Sequence, residues 1–140
     1  MKMSMYLFLD GRTEEAIAFY KKTLGATVGM MMRHSENPEP RPGTMPPGAE
    51  NKIMHASIKI GGDVLMLSDG HCTGKPNFQG FAMSLAVGSD AEAEQLFKEL
   101  SAGGHVTMPM ATTFFASRFG MCTDKFGLGW MVLHEKATQA

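Results

Sequence analysis

Apolar and polar positions along this chain follow two rhythms, one of period two and one near 3.6, and their order predicts the fold. Residues 3–9 (MSMYLFL) form a short strand-like apolar run closed by Asp10. Thr13 then offers an N-cap, Glu14 and Glu15 sit in the first turn, and Ile17, Tyr20 and Leu24 recur at helical spacing before Gly25. Val28 to Arg33 reads as a strand, and Ile53 to Ile60 with Val64 to Leu67 as a hairpin turned by Gly61-Gly62-Asp63. The order then recurs. Phe81 to Val87 reads as a strand, and Ser89-Asp90-Ala91-Glu92 is a capping box. The helix it opens carries Ala93, Leu96, Phe97 and Leu100 on one face and stops at Gly103-Gly104. Val106 to Ala111, Ser117 to Thr123 and Trp130 to His134 are three further strands.

Both halves therefore read strand, helix, strand, strand, strand, over residues 1–69 and 80–136. The repeat shows in residues too: "AFYKKTLGATV" (18–28) resembles "LFKELSAGGHV" (96–106), and "GGDVLML" (61–67) aligns with "FGLGWMV" (126–132). The second alignment pairs Met66 with Met131. Each βαβββ module is too small to bury its sheet face alone, so the expectation is one α+β domain over 1–140 made of two tandem modules. Residues 35–51, "SENPEPRPGTMPPGAEN", hold five of the seven prolines and read as a loop, either a flap or an insertion.

Charge narrows the function. Lys and Arg number 13 against 14 Asp and Glu, and no basic run exceeds Lys21-Lys22, so neither nucleic acid nor an anionic membrane is an expected partner. The N-terminal apolar run is too short to span a bilayer and lacks a signal pattern, so a soluble, cytoplasmic protein is expected. Two cysteines, Cys72 and Cys122, make no disulfide framework and read as reduced thiols. The unusual count is 14 methionines, which suit irregular cores and adaptable binding surfaces alike.

The stretches "YLFLDGRTEEAIAFYKKTLGA" (6–26), "IMHASIKIGGDVLMLSD" (53–69) and "TMPMATTFFASRFGMCTDKFGLGWMV" (107–132) cover nearly half of the chain. With the paired modules, they resemble the vicinal oxygen chelate superfamily of glyoxalase I, extradiol dioxygenases and fosfomycin- and bleomycin-resistance proteins. Within it they are similar to the PhnB-like (3-demethylubiquinone-9 3-methyltransferase-like) branch. The resemblance implies a mixed sheet cupping a cavity, a homodimer, and ligands from the first and fourth strands of each module. Metal-dependent relatives place His, Glu or Gln there. Here the four places fall on Met5, Met66, Met83 and Met131. A shift of one residue at Met5 or Met66 brings in Tyr6 or Leu65. A neutral thioether is a poor ligand for Zn²⁺, Mg²⁺ or Mn²⁺, so no metal and no cofactor is expected. No strand leads into a glycine-rich turn and helix that would cradle a nucleotide-derived cofactor, which counts against the methyltransferase label.

The expected site is thus an apolar pocket for a small molecule, with Met5, Met66, Met83 and Met131 joined by Phe114, Phe115 and Arg118. Arg118 is expected beside the two phenylalanines, where a guanidinium could meet a carboxylate or stack on a ring. His55 shares a strand face with Ser57 and Lys59, a face that reads either as solvent-facing or as part of the pocket. Trp130 reads as core, and His105 as a turn residue. Glu135 shares a face with Met131 but stands roughly 13 Å away, at about 3.3 Å per residue. No nucleophile–base pair or carboxylate dyad stands out, so catalysis stays open. The alternatives are a glyoxalase- or dioxygenase-like enzyme with displaced ligands such as His55, Glu135 or a residue from a partner subunit, and a metal-free isomerase or lyase using His55 or Tyr6.

Overall fold

The computed structural model describes residues 1–39, 45 and 47–137. Part of the proline-rich loop, residues 40–44 and 46, lies outside the described residues. The chain divides into two compact units, Met1–Pro76 and Asn77–Ala140.

The first unit runs β1 (Met5–Phe8), α1 (Thr13–Leu24), β2 (Thr27–Arg33), one 3₁₀ turn at His34–Glu36, β3 (Ile53–Ile60) and β4 (Asp63–Ser68). Its four strands are ordered β1-β4-β3-β2, with β1 parallel to β4 and the other pairs antiparallel. Register places Leu7, Ala56, Ile58, Leu65 and Leu67 on one face, and all five are buried. Ala16, Ile17 and Tyr20 of α1, which packs over β3, are buried as well. Each such Leu or Ile contributes roughly 1.5–3 kcal/mol by leaving water.

The start of α1 corrects the expected cap. Arg12, not Thr13, is the N-cap residue, and its side chain makes no capping bond. Instead the Thr13 amide donates to Oδ1 of buried Asp69 at 2.8 Å, while Asp69 Oδ2 accepts from the Ile53 amide at 2.6 Å. One carboxylate thereby satisfies a helix-end donor and a strand-end donor, and its charge suits the helix N-terminus. At the other end Gly25 takes the left-handed conformation (φ 66°) that stops the helix without a Cβ penalty.

The second unit repeats the order: β5 (Met83–Ala86), α2 (Asp90–Ser101), β6 (His105–Ala111), β7 (Ala116–Thr123) and β8 (Gly129–Glu135), with strands ordered β5-β8-β7-β6. Ser89 caps α2, its hydroxyl accepting from the Glu92 amide at 3.1 Å. Trp130 and Val132 are buried as expected of core residues. Gly120 lets α2 approach β7, since a Cβ there would lie 2.8 Å from the Phe97 ring. His105 is not a turn residue but opens β6, paired with Thr123. Pro109, which cannot donate to a ladder, falls on this edge strand.

The repeat also needs adjusting within the helices. Ala16 and Tyr20 hold the same places in α1 that Ala93 and Phe97 hold in α2, and all four are buried. The turn after α2, Ala102-Gly103-Gly104, is one residue longer than Gly25-Ala26. That extra residue brings the following strands into the alignment read from sequence, but displaces the helices from it by one.

Candidate functional site

Strand register decides which of the expected residues stand together. In the first unit Met5 pairs with Leu65, and Tyr6 pairs with Met66. Met5 therefore shares the face of Leu7 and Leu65, while Tyr6, Phe8 and Met66 share the opposite face. Ser57 pairs with Met66 on that second face, so His55 is there too, and so are Met30 and Met32 of β2, opposite Ser57 and His55. The second unit shows the same relation. Met83 pairs with Trp130, whereas Ser84 pairs with Met131. The four-methionine set thus splits. Met66 and Met131 lie on the faces turned away from the buried Leu7 and Trp130 sides; Met5 and Met83 do not. One residue along, Tyr6 and Ser84 take their places.

On the open face of the first unit the Tyr6 hydroxyl and His55 Nδ1 are 2.9 Å apart and half-buried. Their rings are 5.5 Å apart, and Phe8 lies 5.1 Å beyond Tyr6. In the second unit Met131 packs with its register partner Met121 against Ala116, Phe119 and Leu133. Phe115 reaches this cluster, 5.2 Å from Phe119, and Phe114 lies 5.1 Å beyond it but is almost fully exposed.

Arg118 is not beside these rings. The register shift between Ala116 and Arg118 leaves it opposite His134, and its Nε bonds Glu94 of α2 at 2.9 Å. Asp90, also on α2, accepts from Ser117 Oγ at 2.5 Å and lies 2.8 Å from His134 Nδ1, with Arg118 at 3.6 Å. The Ser117 and His134 hydrogen bonds, then the Arg118 charge, hold the Asp90 carboxyl below its ordinary range. Ser, His and Asp stand together here, but Ser117 and Asp90 both meet the same ring nitrogen, at 3.0 and 2.8 Å. A serine activated by histidine needs the far nitrogen facing it, so the cluster ties α2 to the sheet rather than making a nucleophile.

An open groove of about 490 Å³ lies on the other side of the first unit, between α1 and β2, floored by Ile17, Val28 and Met31 and rimmed by Lys21 and Lys22. None of the expected site residues lines it.

A family model of the Glyoxalase/Bleomycin resistance protein/Dioxygenase superfamily matches residues 2–132. The chain belongs to this superfamily. Protein YjdN of Escherichia coli strain K12 is 35% identical over 138 residues, 94% of each chain. The crystal structure of protein PA1353 from Pseudomonas aeruginosa is 40% identical and superposes with a TM-score of 0.83 over 98% of this chain and 99% of that one. The PhnB protein from Bacillus cereus, at 24% identity, shares the fold with a TM-score of 0.78 over 96% and 99%.

Many members of this superfamily hold a divalent cation, so the strand residues can be tested as its ligands. Tyr6 with Met66, and Ser84 with Met131, present a phenol, a hydroxyl and two thioethers. Neither pair suits Zn²⁺, which takes imidazole, thiolate or carboxylate donors, or Mg²⁺ and Mn²⁺, which favour carboxylate and other oxygen donors. Among the described residues no three His, Cys, Asp or Glu side chains are grouped as a metal ion requires. The residues present do not fit the group. Among the described residues, moreover, no helix is long and apolar enough to cross a membrane.

Sequence reasoning missed Met121, Phe8 and Ser84, and named Tyr6 as a register alternative and as an acid–base alternative. The signal for Tyr6 and Ser84 was parity relative to Leu7 and Leu85. In an apolar run such as MYLFL that parity is silent, because residues of both faces are apolar.

Proposed function

We propose that this superfamily member binds a small, partly apolar molecule against its methionine-bearing sheet faces, without a metal ion. The observation that carries this reading is the matched placement of Met66 and Met131. Each stands at the corresponding place of its sheet, opposite Tyr6 in one unit and Ser84 in the other. Thioethers and aromatic rings with a few polar groups make surfaces suited to apolar ligands of irregular shape. Met66, Met131, Phe115 and His55 are retained as ligand contacts, with Tyr6 and Met121 added. Met5, Met83 and Arg118 are set aside because their register directs them to the packed faces. The same reading makes the chain a cytoplasmic PhnB-like homodimer. It is supported by edge strands β2 and β6, which leave Val28, Met30, Met31, Val106 and Met108 exposed.

The test combines metal analysis with methyl spectroscopy. Protein purified without chelators is expected to carry no stoichiometric Zn, Ni, Fe or Mn. Naphthalene derivatives are expected to move the ε-methyl resonances of Met66 or Met131. A stoichiometric metal that is lost on replacing His55 or Glu135 overturns the proposal in favour of displaced ligands.

A further inference from the structure

Tyr6 and His55 form a side-chain hydrogen bond on the first unit's open face. Tyr6 belongs to β1 and His55 to β3, with β4 between them, so the 2.9 Å bond is made across an intervening strand. Phe8, Tyr6 and His55 follow one another at centroid spacings of 5.1 and 5.5 Å, with tilts of 36° and 31°. The Phe8 end of this row is 59% exposed, an apolar surface left open to solvent, while the polar end is half-buried.

Proton counting gives the pair its chemistry. A neutral phenol and a neutral imidazole hold two polar protons and use one in the bond between them. When the phenol donates to Nδ1, the ring Nε2–H is left over. When Nδ1–H donates instead, the phenol O–H is left over. Either tautomer therefore keeps one donor to offer outward. Met66 has only a weakly accepting sulfur, and its register partner Ser57 adds a hydroxyl on the same face, so a ligand lying along the row meets its donors at the polar end of a largely apolar track.

We infer that Tyr6 and His55 are a specificity-determining pair that recognises a hydrogen-bond acceptor, a carbonyl oxygen, on a flat apolar ligand stacked along Phe8. This inference rests on the proposed binding function and names the ligand class for the first unit's face. A purely structural role, in which the bond only staples β1 to β3, predicts no discrimination between ligands of the same shape.

The experiment uses two probes of matched outline, 2-acetylnaphthalene and 2-isopropenylnaphthalene, titrated into the full chain while the Met66 and Met131 methyl signals are followed. The ketone is expected to bind about tenfold tighter, the ratio a single well-made hydrogen bond gives. Tyr6→Phe and His55→Phe are each expected to lower that ratio, and the double variant, which leaves no donor at the pair, to bring it close to one. Should the double variant fail to fold, a lowered ratio in either single variant decides. Equal binding of both probes at Met66 overturns the inference and leaves the apolar-face proposal standing. A ketone preference that survives both substitutions, or that moves Met131 alone, overturns it as well. If neither probe moves either methyl, both proposals fall.

Discussion

Asp124 and Trp130 are joined by a buried hydrogen bond, indole Nε1 donating to carboxylate Oδ2 at 2.8 Å. The other oxygen, Oδ1, accepts from the Phe126 and Leu128 amides at 2.9 and 3.1 Å. The turn that carries the chain from β7 to β8 is thus wound around one carboxylate, which also fixes the largest side chain of the second unit's core. Asp124→Ala leaves three buried donors without this acceptor and is expected to cost about 3 kcal/mol or more. Asp124→Asn keeps Oδ1 for the turn amides but sets an NH₂ against the indole N–H, so it is expected to cost less than Asp124→Ala without being neutral. Urea unfolding read from the fluorescence of Trp130, the only tryptophan, checks both. Equal losses would show that the turn amides are held by something other than this carboxylate.

Two glycines separate close approach from mere flexibility. At Gly104 a Cβ would sit 1.9 Å from the Thr123 carbonyl oxygen and 2.7 Å from the Asp124 carbonyl carbon, both backbone atoms. At Gly62 a Cβ would meet nothing within 4 Å. Gly104→Ala is therefore expected to destabilise by roughly 3 kcal/mol, at the upper end of overpacking effects. Gly62→Ala should change stability by no more than about 0.5 kcal/mol. Thermal unfolding of the two variants measures the contrast, and similar midpoints would refute it.

Much of the architecture was legible because helix and strand periods differ and the two modules repeat them. The capping box at Ser89, the stop at Gly25 and the buried Trp130 are local signals, each carried by a few adjacent residues. What the sequence withheld was nonlocal. The acceptor for the first helix comes from Asp69, 56 residues after Thr13, and no local pattern announces it. Parity in β1 and β5 is set by parallel pairing to β4 and β8, so a one-residue miscount set Met5 and Met83, rather than Tyr6 and Ser84, on the faces of Met66 and Met131. Arg118 follows Phe115 closely in sequence. Alternation and the register shift after Ala116 nevertheless send it to the helix side.

The two thiols should differ in reactivity. Burial, then the nearby Asp124 charge, pushes the Cys122 thiol up to about 11. Burial and the Asp69 charge also raise Cys72, which is partly exposed. Thiolate is the reacting form, so neither is a ready nucleophile near neutral pH. With a disulfide reagent at about pH 8, Cys72 is expected to react more slowly than a free small thiol. Cys122 should react only on unfolding. Rapid modification of two thiols in the native protein would contradict the burial of Cys122 on β7.

Acid should loosen the second unit at Asp90. Its carboxyl is held below the usual range by hydrogen bonds from Ser117 and His134 and by the charge of Arg118, with Glu94 sharing that guanidinium. A carboxyl whose folded pKa is depressed contributes stability that is fully present above its unfolded value, near 3.9, and is lost as pH falls through the lower folded value. Wild-type protein should therefore exceed Asp90→Asn in Tm above about pH 5, and that margin should close toward pH 2. Because Asp90 and Arg118 are partly exposed, added salt should shrink the margin through screening of Arg118 while leaving the hydrogen-bonded part in place. Replacing Arg118 with Met should reproduce the salt-sensitive part alone, since Ser117 and His134 still meet the carboxylate. A Tm margin between wild type and Asp90→Asn that stays constant down to pH 2 would mean that Asp90 holds the helix through shape rather than charge.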